Sequence, residues 1–313
     1  MESQESINQF KSELKELAMT KKLNFLIGSG TSSRAISLMG DISTETFEER
    51  NKILLKQVEK VSKSLIRGDY NADSKITLHD YEDFILSISD VLNNANARTT
   101  PKEAIIFTTN YDLFIEKALD NVMTQTPLVF NDGARGYFNR YLDGSNYNKS
   151  VSYRGLNNNY IDELPSLSLI KPHGSVNWKQ VQRDKILIKD EVVEDNPVVV
   201  PPTGYEDETT FLNNHFHDML RIFQLELDKP QSVLFTIGFS FQDKHIAQMI
   251  RRALNNRELV IVCFCYSNDD KKKYLSNLEL SENKSNLKFV LPEEFEEEHL
   301  TLRSLSAILR GDF

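Results

Sequence analysis

Ala104-Ile105-Ile106-Phe107-Thr108-Thr109-Asn110-Tyr111-Asp112 is the stretch whose reading decides the fold. A run of β-branched and aromatic residues carries the chain as a buried strand to a polar tip, and Leu113 to Leu119 follows with helical spacing. A strand that ends in polar side chains and turns at once into a helix is half of a parallel βα unit. In an open α/β sheet, ligands bind beyond the carboxyl ends of the strands, so Asn110 and Asp112 stand on the edge that would hold one. Asp112 could equally cap its helix, since aspartate there accepts from amides that have no helical partner.

Working outward, three further strands end in corners of the same kind. Leu23 to Ile27 runs into Gly28-Ser29-Gly30-Thr31-Ser32-Ser33, where glycines and hydroxyls before a helix could accept a pyrophosphate. The full G-x-G-x-x-G spacing is absent, and a tight βα turn accounts for the two glycines equally well. Leu167 to Ile170 leads into Lys171-Pro172-His173-Gly174-Ser175-Val176-Asn177-Trp178. A histidine at a strand end titrates near neutrality and is placed as a general base, while a structural role is the alternative. Val233 to Ile237 ends at Gly238-Phe239-Ser240-Phe241 and opens a helix through Asp243, His245 and Ile246. Strands alternating with helices predict an α/β fold with a doubly wound parallel sheet of Rossmann-like type. One nucleotide lying across its strand ends would meet Gly28, Asn110, His173 and Gly238 together.

The remaining segments fill in this plan. Residues 41–100 read as a helical insertion, with apolar periodicity over Thr46 to Ile66 and Leu78 to Leu92. Between those helices, Asp69, Asn71, Asp73 and Asp80 sit at the spacing of a calcium-binding loop. Ser74 stands where such loops place glycine, and a polar turn with a helix cap is the alternative. Phe130 to Asn159 reads as a long surface loop beside a site, Val181 to Lys189 as a hairpin arm, and Pro197 to Pro202 as a short strand. Thr209 to Leu227 reads as an amphipathic helix whose His215 and His217 do not share a face. Leu259 to Tyr266 and Leu287 to Leu291 supply the last strands, and Glu293 to Glu298 a solvated acidic run. Residues 1–313 are read as a single domain carrying that insertion.

Composition narrows the function classes. The net charge is −9 and the pI is about 5.3, which argues against direct nucleic-acid binding through a broad basic face. No apolar run has the length of a membrane span, and Met1 to Thr20 reads as an amphipathic helix, so a cytoplasmic location is expected. Cys263 and Cys265 are the only cysteines. They share a strand face as small core residues, and no metal site is expected from them.

With the four corners in view, the chain resembles the sirtuin-like (SIR2-like) domains, in particular the branch found in bacterial anti-phage systems. Gly28-Ser29-Gly30 stands for the family's Gly-Ala-Gly loop, and Thr109-Asn110-Tyr111-Asp112 for its Thr-Asn-Tyr-Asp motif. His173-Gly174 matches the catalytic His-Gly, and Gly238-Phe239-Ser240 the later ribose loop. Deacylating sirtuins carry a four-cysteine zinc module after the His-Gly, whereas Trp178 to Val200 contains no cysteine. The resemblance therefore implies NAD as substrate, no zinc, and cleavage of the nicotinamide–ribose bond. By the same resemblance, Asn110 would position the attacking water or the ribose, Asp112 would hold the nicotinamide amide or order the pocket, and His173 would act as base. Gly28, Ser29, Gly30, Ser32 and Thr109 would meet the dinucleotide, with Gly238 and Ser240 against the adenosine-side ribose. A deacylase, and a non-catalytic subunit that senses NAD or ADP-ribose, are the alternatives. The chain shows no sensor domain of its own, so a homo-oligomer or a separately encoded partner, such as a HerA-type ATPase or an Argonaute, is expected.

Overall fold

The structure, a computed structural model, describes residues 2–94, 101–152, 163–182, 185–200 and 214–312. Helix α1 (Glu2–Thr20) leads into β1 (Lys22–Ile27), and β1 lies at the centre of a seven-stranded parallel sheet. On one side of it stand β2 (Glu103–Thr108), β6 (Ser166–Ile170) and β3 (Val129–Asn131). On the other stand β9 (Ser232–Ile237), β10 (Val260–Phe264) and β11 (Leu287–Val290). The chain thus moves outward from β1 first one way and then the other. That reversal makes the β1–β9 boundary the topological switch point, where open α/β sheets bind ligands.

The sequence dictates two-sided burial. Phe25 and Ile27 face one apolar cluster while Leu26 faces the other; on β2, Ala104 and Ile106 oppose Ile105 and Phe107 in the same way. The first cluster is covered by α1, by α3 (Ala72–Asn94), by α4 (Phe114–Met123) and by α8 (Leu302–Arg310). The second is covered by α5 (Asn214–Asp228), α6 (Lys244–Ala253) and α7 (Asp270–Asn277). Phe25 meets Phe84 edge-on at 5.0 Å and stacks on Phe235 at 5.8 Å. Burying a side chain of that size contributes roughly 1.5–3 kcal/mol.

The insertion between β1 and β2 is helical. Helix α2 (Phe47–Arg67) starts where Thr46 accepts from the Glu49 amide at 3.2 Å and stops at Gly68 in the left-handed region. Of the two readings of Asp69 to Asp80, the structure shows the turn with a helix cap and not the calcium-loop geometry. Asn71 caps α3 by accepting from the Ser74 amide at 2.7 Å, so the helix begins at Ala72 and Asp73 and Asp80 lie on it. Asp80 instead pairs with Arg303. Residues 95–100 of the expected insertion lie outside the described residues.

A second correction concerns Phe130 to Asn159. In place of a long loop, this segment supplies β3, β4 (Ala134–Arg135) and β5 (Arg140–Leu142), followed by a 3-10 turn over Gly144–Asn148. Strands β4 and β5 join β8 (Lys185–Ile188) and β7 (Trp178–Gln182) in a four-stranded antiparallel sheet. Tyr147 anchors the segment, its buried hydroxyl donating to Asp132 O at 2.8 Å. Asn157, Asn158 and Asn159 lie outside the described residues, as do residues 209–213 of the expected helix and 201–202 of the expected strand. Val199 of that strand forms a single antiparallel bridge with Gly174.

Candidate active site

The corners after β1 and β9 meet backbone to backbone. Gly28 donates to Ile237 O at 3.0 Å and Gly30 to Gly238 O at 2.9 Å. A Cβ on Gly28 would lie 2.3 Å from Gly238 O, and Gly238 itself sits at φ +64 with Thr31 N 2.6 Å from where its Cβ would be. Only glycine permits this approach. Gly28 and Gly30 therefore build the loop and turn their amides toward β9, and Ser29 and Ser32 are the residues of that loop facing outward into a cavity.

That cavity measures about 490 Å³ and lies beyond the carboxyl ends of the central strands. Ser29, Ser32, Thr109, Asn110, Asp112, His173, Gly238 and Ser240 all line it. All four strand corners reach it: β1 through Ser29 and Ser32, β2 through Asn110 and Asp112, β6 through His173, and β9 through Gly238. Ile36 and Met39 from the segment after β1, with Phe47, Leu54 and Val58 of α2 in the insertion, complete it with apolar side chains. A polar rim opposite an apolar wall, in a space of this size, is the build of a small-molecule site.

Asn110 is buried and oriented. Its side-chain amide donates to Gly28 O at 3.2 Å, and its backbone amide donates to Thr108 Oγ1 at 3.1 Å. The amide oxygen Oδ1 makes no well-formed hydrogen bond among the described residues, which leaves a fixed acceptor. Asp112 lies two residues on. Its Oδ2 accepts from Ser32 at 3.1 Å and its Oδ1 from the Phe114 amide at 3.2 Å, so it both caps the α4 turn and joins the site network. Burial raises its carboxyl above the ordinary value of 3.8, and the Lys171 charge with these hydrogen bonds only partly opposes that.

His173 is held by the turn at Gly174, where φ is +82 and a Cβ would strike Val198 O at 2.0 Å. Its Nε2 lies 2.8 Å from Asp243 Oδ2, an ion-pair contact whose angle falls short of a well-directed hydrogen bond. The other oxygen of Asp243 caps α6, accepting from His245 at 3.0 Å and Ile246 at 3.1 Å. Burial pushes this carboxyl upward, yet His173 and the Ile246 amide together hold it below 3.8, so Asp243 is the anion of the site.

Two residues escaped the sequence reading as site members. Asp243 stands immediately before a helix at a strand corner, the same position type as Asp112, and that was its available signal. Tyr81 gave none, being one aromatic on an amphipathic helix. Its hydroxyl lies 2.6 Å from Thr31 Oγ1 and 3.0 Å from Ser32 Oγ, with the Asn110 amide beside it. Burial keeps this phenol well above its ordinary value, in its neutral, hydrogen-bonding form. The insertion thus braces the Thr31–Ser32 part of the site loop through Tyr81.

Cys263 and Cys265 are buried on β10, and burial pushes the Cys263 thiol up to about 12. Among the described residues no three His, Cys, Asp or Glu side chains converge as a metal site, and no helix is long and apolar enough to cross a membrane.

A parallel sheet wound in both directions from β1, with a glycine-built cavity at its switch point, defines an α/β protein of nucleotide-binding type. The chain belongs to the SIR2-like domain family, which it matches over residues 104–288. That family uses NAD and includes NAD-dependent enzymes. No curated protein matches the sequence. The matched span begins at β2, so the Gly28 corner and Tyr81 lie before it and join the site through the fold.

Proposed function

We propose that this chain is an NAD hydrolase, cleaving the nicotinamide–ribose bond to give nicotinamide and ADP-ribose. The observation that carries this reading is the convergence of Asn110, Asp112 and His173 on one cavity at the β1–β9 switch point. Ser29, Ser32 and Thr109 would meet the pyrophosphate, and Gly238 with Ser240 the adenosine-side ribose. The Asn110 side chain, held by its bond to Gly28 O, suits the positioning of a water or ribose hydroxyl by hydrogen bonding, while the proton itself goes elsewhere. As the C–N bond to nicotinamide breaks and a C–O bond to water forms, the water proton passes to His173. The Asp243 carboxylate stabilises the resulting imidazolium. Asp112, oriented by Ser32 and the Phe114 amide, is placed to hold the leaving nicotinamide's carboxamide.

The same reading makes the chain one domain with its insertion, acting in the cytoplasm in anti-phage defence by depleting NAD. It would work as a homo-oligomer or with a separately encoded partner such as a HerA-type ATPase or an Argonaute. The motif resemblance supports these points. With only two cysteines, the chain cannot build the four-thiolate zinc module of the deacylases, which favours hydrolysis over deacylation.

Incubating the purified chain with NAD, alone and with candidate partners, tests the reading. Nicotinamide release without an acylated peptide is the expected result. Acetyl transfer to ADP-ribose would replace it with a deacylase, and tight NAD binding without turnover under every condition would replace it with a sensor.

A further inference from the structure

A lysine is costly to bury unless its charge is paired and its donors are used, and Lys171 meets both conditions. It is 2% exposed, and its ammonium donates to three acceptors, one for each proton it carries. The backbone carbonyl of Asp112 lies at 2.6 Å, Glu116 Oε1 at 2.8 Å and Ser175 Oγ at 3.1 Å. These acceptors stand on separate parts of the site's frame: the corner after β2, the first turn of α4, and the turn that carries His173. Ser175 passes the contact on, its hydroxyl donating to Tyr111 O at 3.4 Å. The ammonium thus addresses the two peptide carbonyls that follow Asn110, that of Asp112 directly and that of Tyr111 through Ser175. Its own backbone carbonyl accepts from the Gly174 amide at 2.9 Å, which closes the turn around His173. Lys171 does not itself line the catalytic cavity.

We propose that Lys171 is a positioning residue for NAD cleavage, fixing the Asn110 corner against the His173 corner so that nucleophile and base meet in register. The inference rests on the hydrolase reading. An apolar side chain of similar length would fill the same space and hold neither carbonyl. Glu116 balances the buried charge, and Ser175 carries the hold across to Tyr111. Because Asn110 orders the nucleophile and His173 takes its proton, a misplacement of about 1 Å between the two corners should cost about 10²-fold in rate. Binding of the dinucleotide is spread over Ser29, Ser32, Thr109, Gly238 and Ser240, and does not depend on that register.

A double-mutant cycle on the full chain tests this. Replacing Lys171→Met together with Glu116→Gln removes both charges and leaves neither buried alone. Ser175→Ala is the milder probe: it cuts the link to Tyr111 and keeps the ion pair. In the paired variant kcat should fall by about 10²-fold, and in Ser175→Ala by about tenfold, with KM and NAD affinity within about twofold of wild type. Placed in a His173→Ala background, either change should lower the residual rate by less than about threefold, because the register then has no base to serve. A residue that only stabilised the fold would lower the rate equally in both backgrounds. That result, wild-type kcat in either variant, or a raised KM with kcat unchanged would overturn the inference while wild-type cleavage still upheld the hydrolase reading. Absence of nicotinamide release by the wild type, alone and with every candidate partner, would overturn the hydrolase reading and this inference with it.

Discussion

Asp112 and Asp243 face one cavity from either side of β1, and their surroundings drive them in opposite directions. Asp112 is buried and Asp243 half-buried, and burial acts to raise both carboxyls. Lys171 approaches Asp112 through its backbone carbonyl and gives its ion pair to Glu116, so the Asp112 carboxyl stays raised. His173 sits directly on the Asp243 carboxylate, which is held low. Asp112 is the more deeply buried of the two, and Lys171 addresses its backbone carbonyl, whereas His173 meets the Asp243 carboxylate itself. A site with one carboxyl pushed toward neutrality and another held as an anion can assign them different work, one on the leaving group and one on the base.

Replacing the groups that touch substrate should have the largest effect. His173→Ala should lower NAD cleavage by about 10²–10⁴, the usual worth of a positioned general base, and Asn110→Ala by about 10² through lost positioning of the nucleophile, both with unchanged circular dichroism. Wild-type turnover in either would remove that residue from the chemistry.

Asp243→Asn sharpens the contrast further. Asparagine caps a helix as well as aspartate does, so α6 should persist while the charge beside His173 disappears. Catalytic rate should fall by about tenfold to a hundredfold, as for other partners that orient a functional imidazole, with little change in KM. A change in KM alone would mean that Asp243 only shapes the pocket.

The pH dependence of stability should have opposite signs for the two carboxyls. The folded chain holds the Asp243 proton less tightly than the unfolded chain, so its contribution is present above pH 3.8 and lost as pH falls through the lowered folded value. Asp112 is the reverse: its contribution is full below pH 3.8 and lost as pH rises through the raised folded value. Urea midpoints should therefore show Asp243→Asn less stable than wild type at neutral pH, with the gap closing in acid. Asp112→Asn should be as stable as wild type or more so at neutral pH, and lose ground in acid. Parallel curves for the two variants would contradict the contrast.

Tyr81→Phe should have the smallest effect. Its hydroxyl joins Thr31 to Ser32, and losing such bonds should cost roughly 0.5–1.5 kcal/mol in thermal unfolding.

The parts legible in the sequence were those written over four or more consecutive residues. Strands such as Ala104 to Phe107 and Val233 to Ile237 carry almost unbroken apolar runs because both sheet faces are covered, and their polar ends mark the corners. Of the arm read over Val181 to Lys189, only the short apolar run Ile186 to Ile188 of β8 carries a signal, and β7 is exposed beyond Trp178. Strands of two or three residues, such as Ala134–Arg135 and Arg140–Leu142, are too short to show a period, and their pairing with β8 is fixed only in three dimensions. The calcium spacing at Asp69 to Asp80 was overridden by Asn71, whose cap starts α3 inside that segment. In the site, the corners themselves were readable, whereas His173 with Asp243 and Tyr81 with Ser32 are pairs distant in sequence that only the fold brings together.

A single sample tests NAD cleavage at this site most directly: NAD titrated into His173→Ala while nicotinamide is followed in the same tube. It predicts one NAD bound per chain with no nicotinamide released on the timescale of wild-type turnover. Release at the wild-type rate, or failure of this variant to bind NAD that the wild type binds, would contradict it.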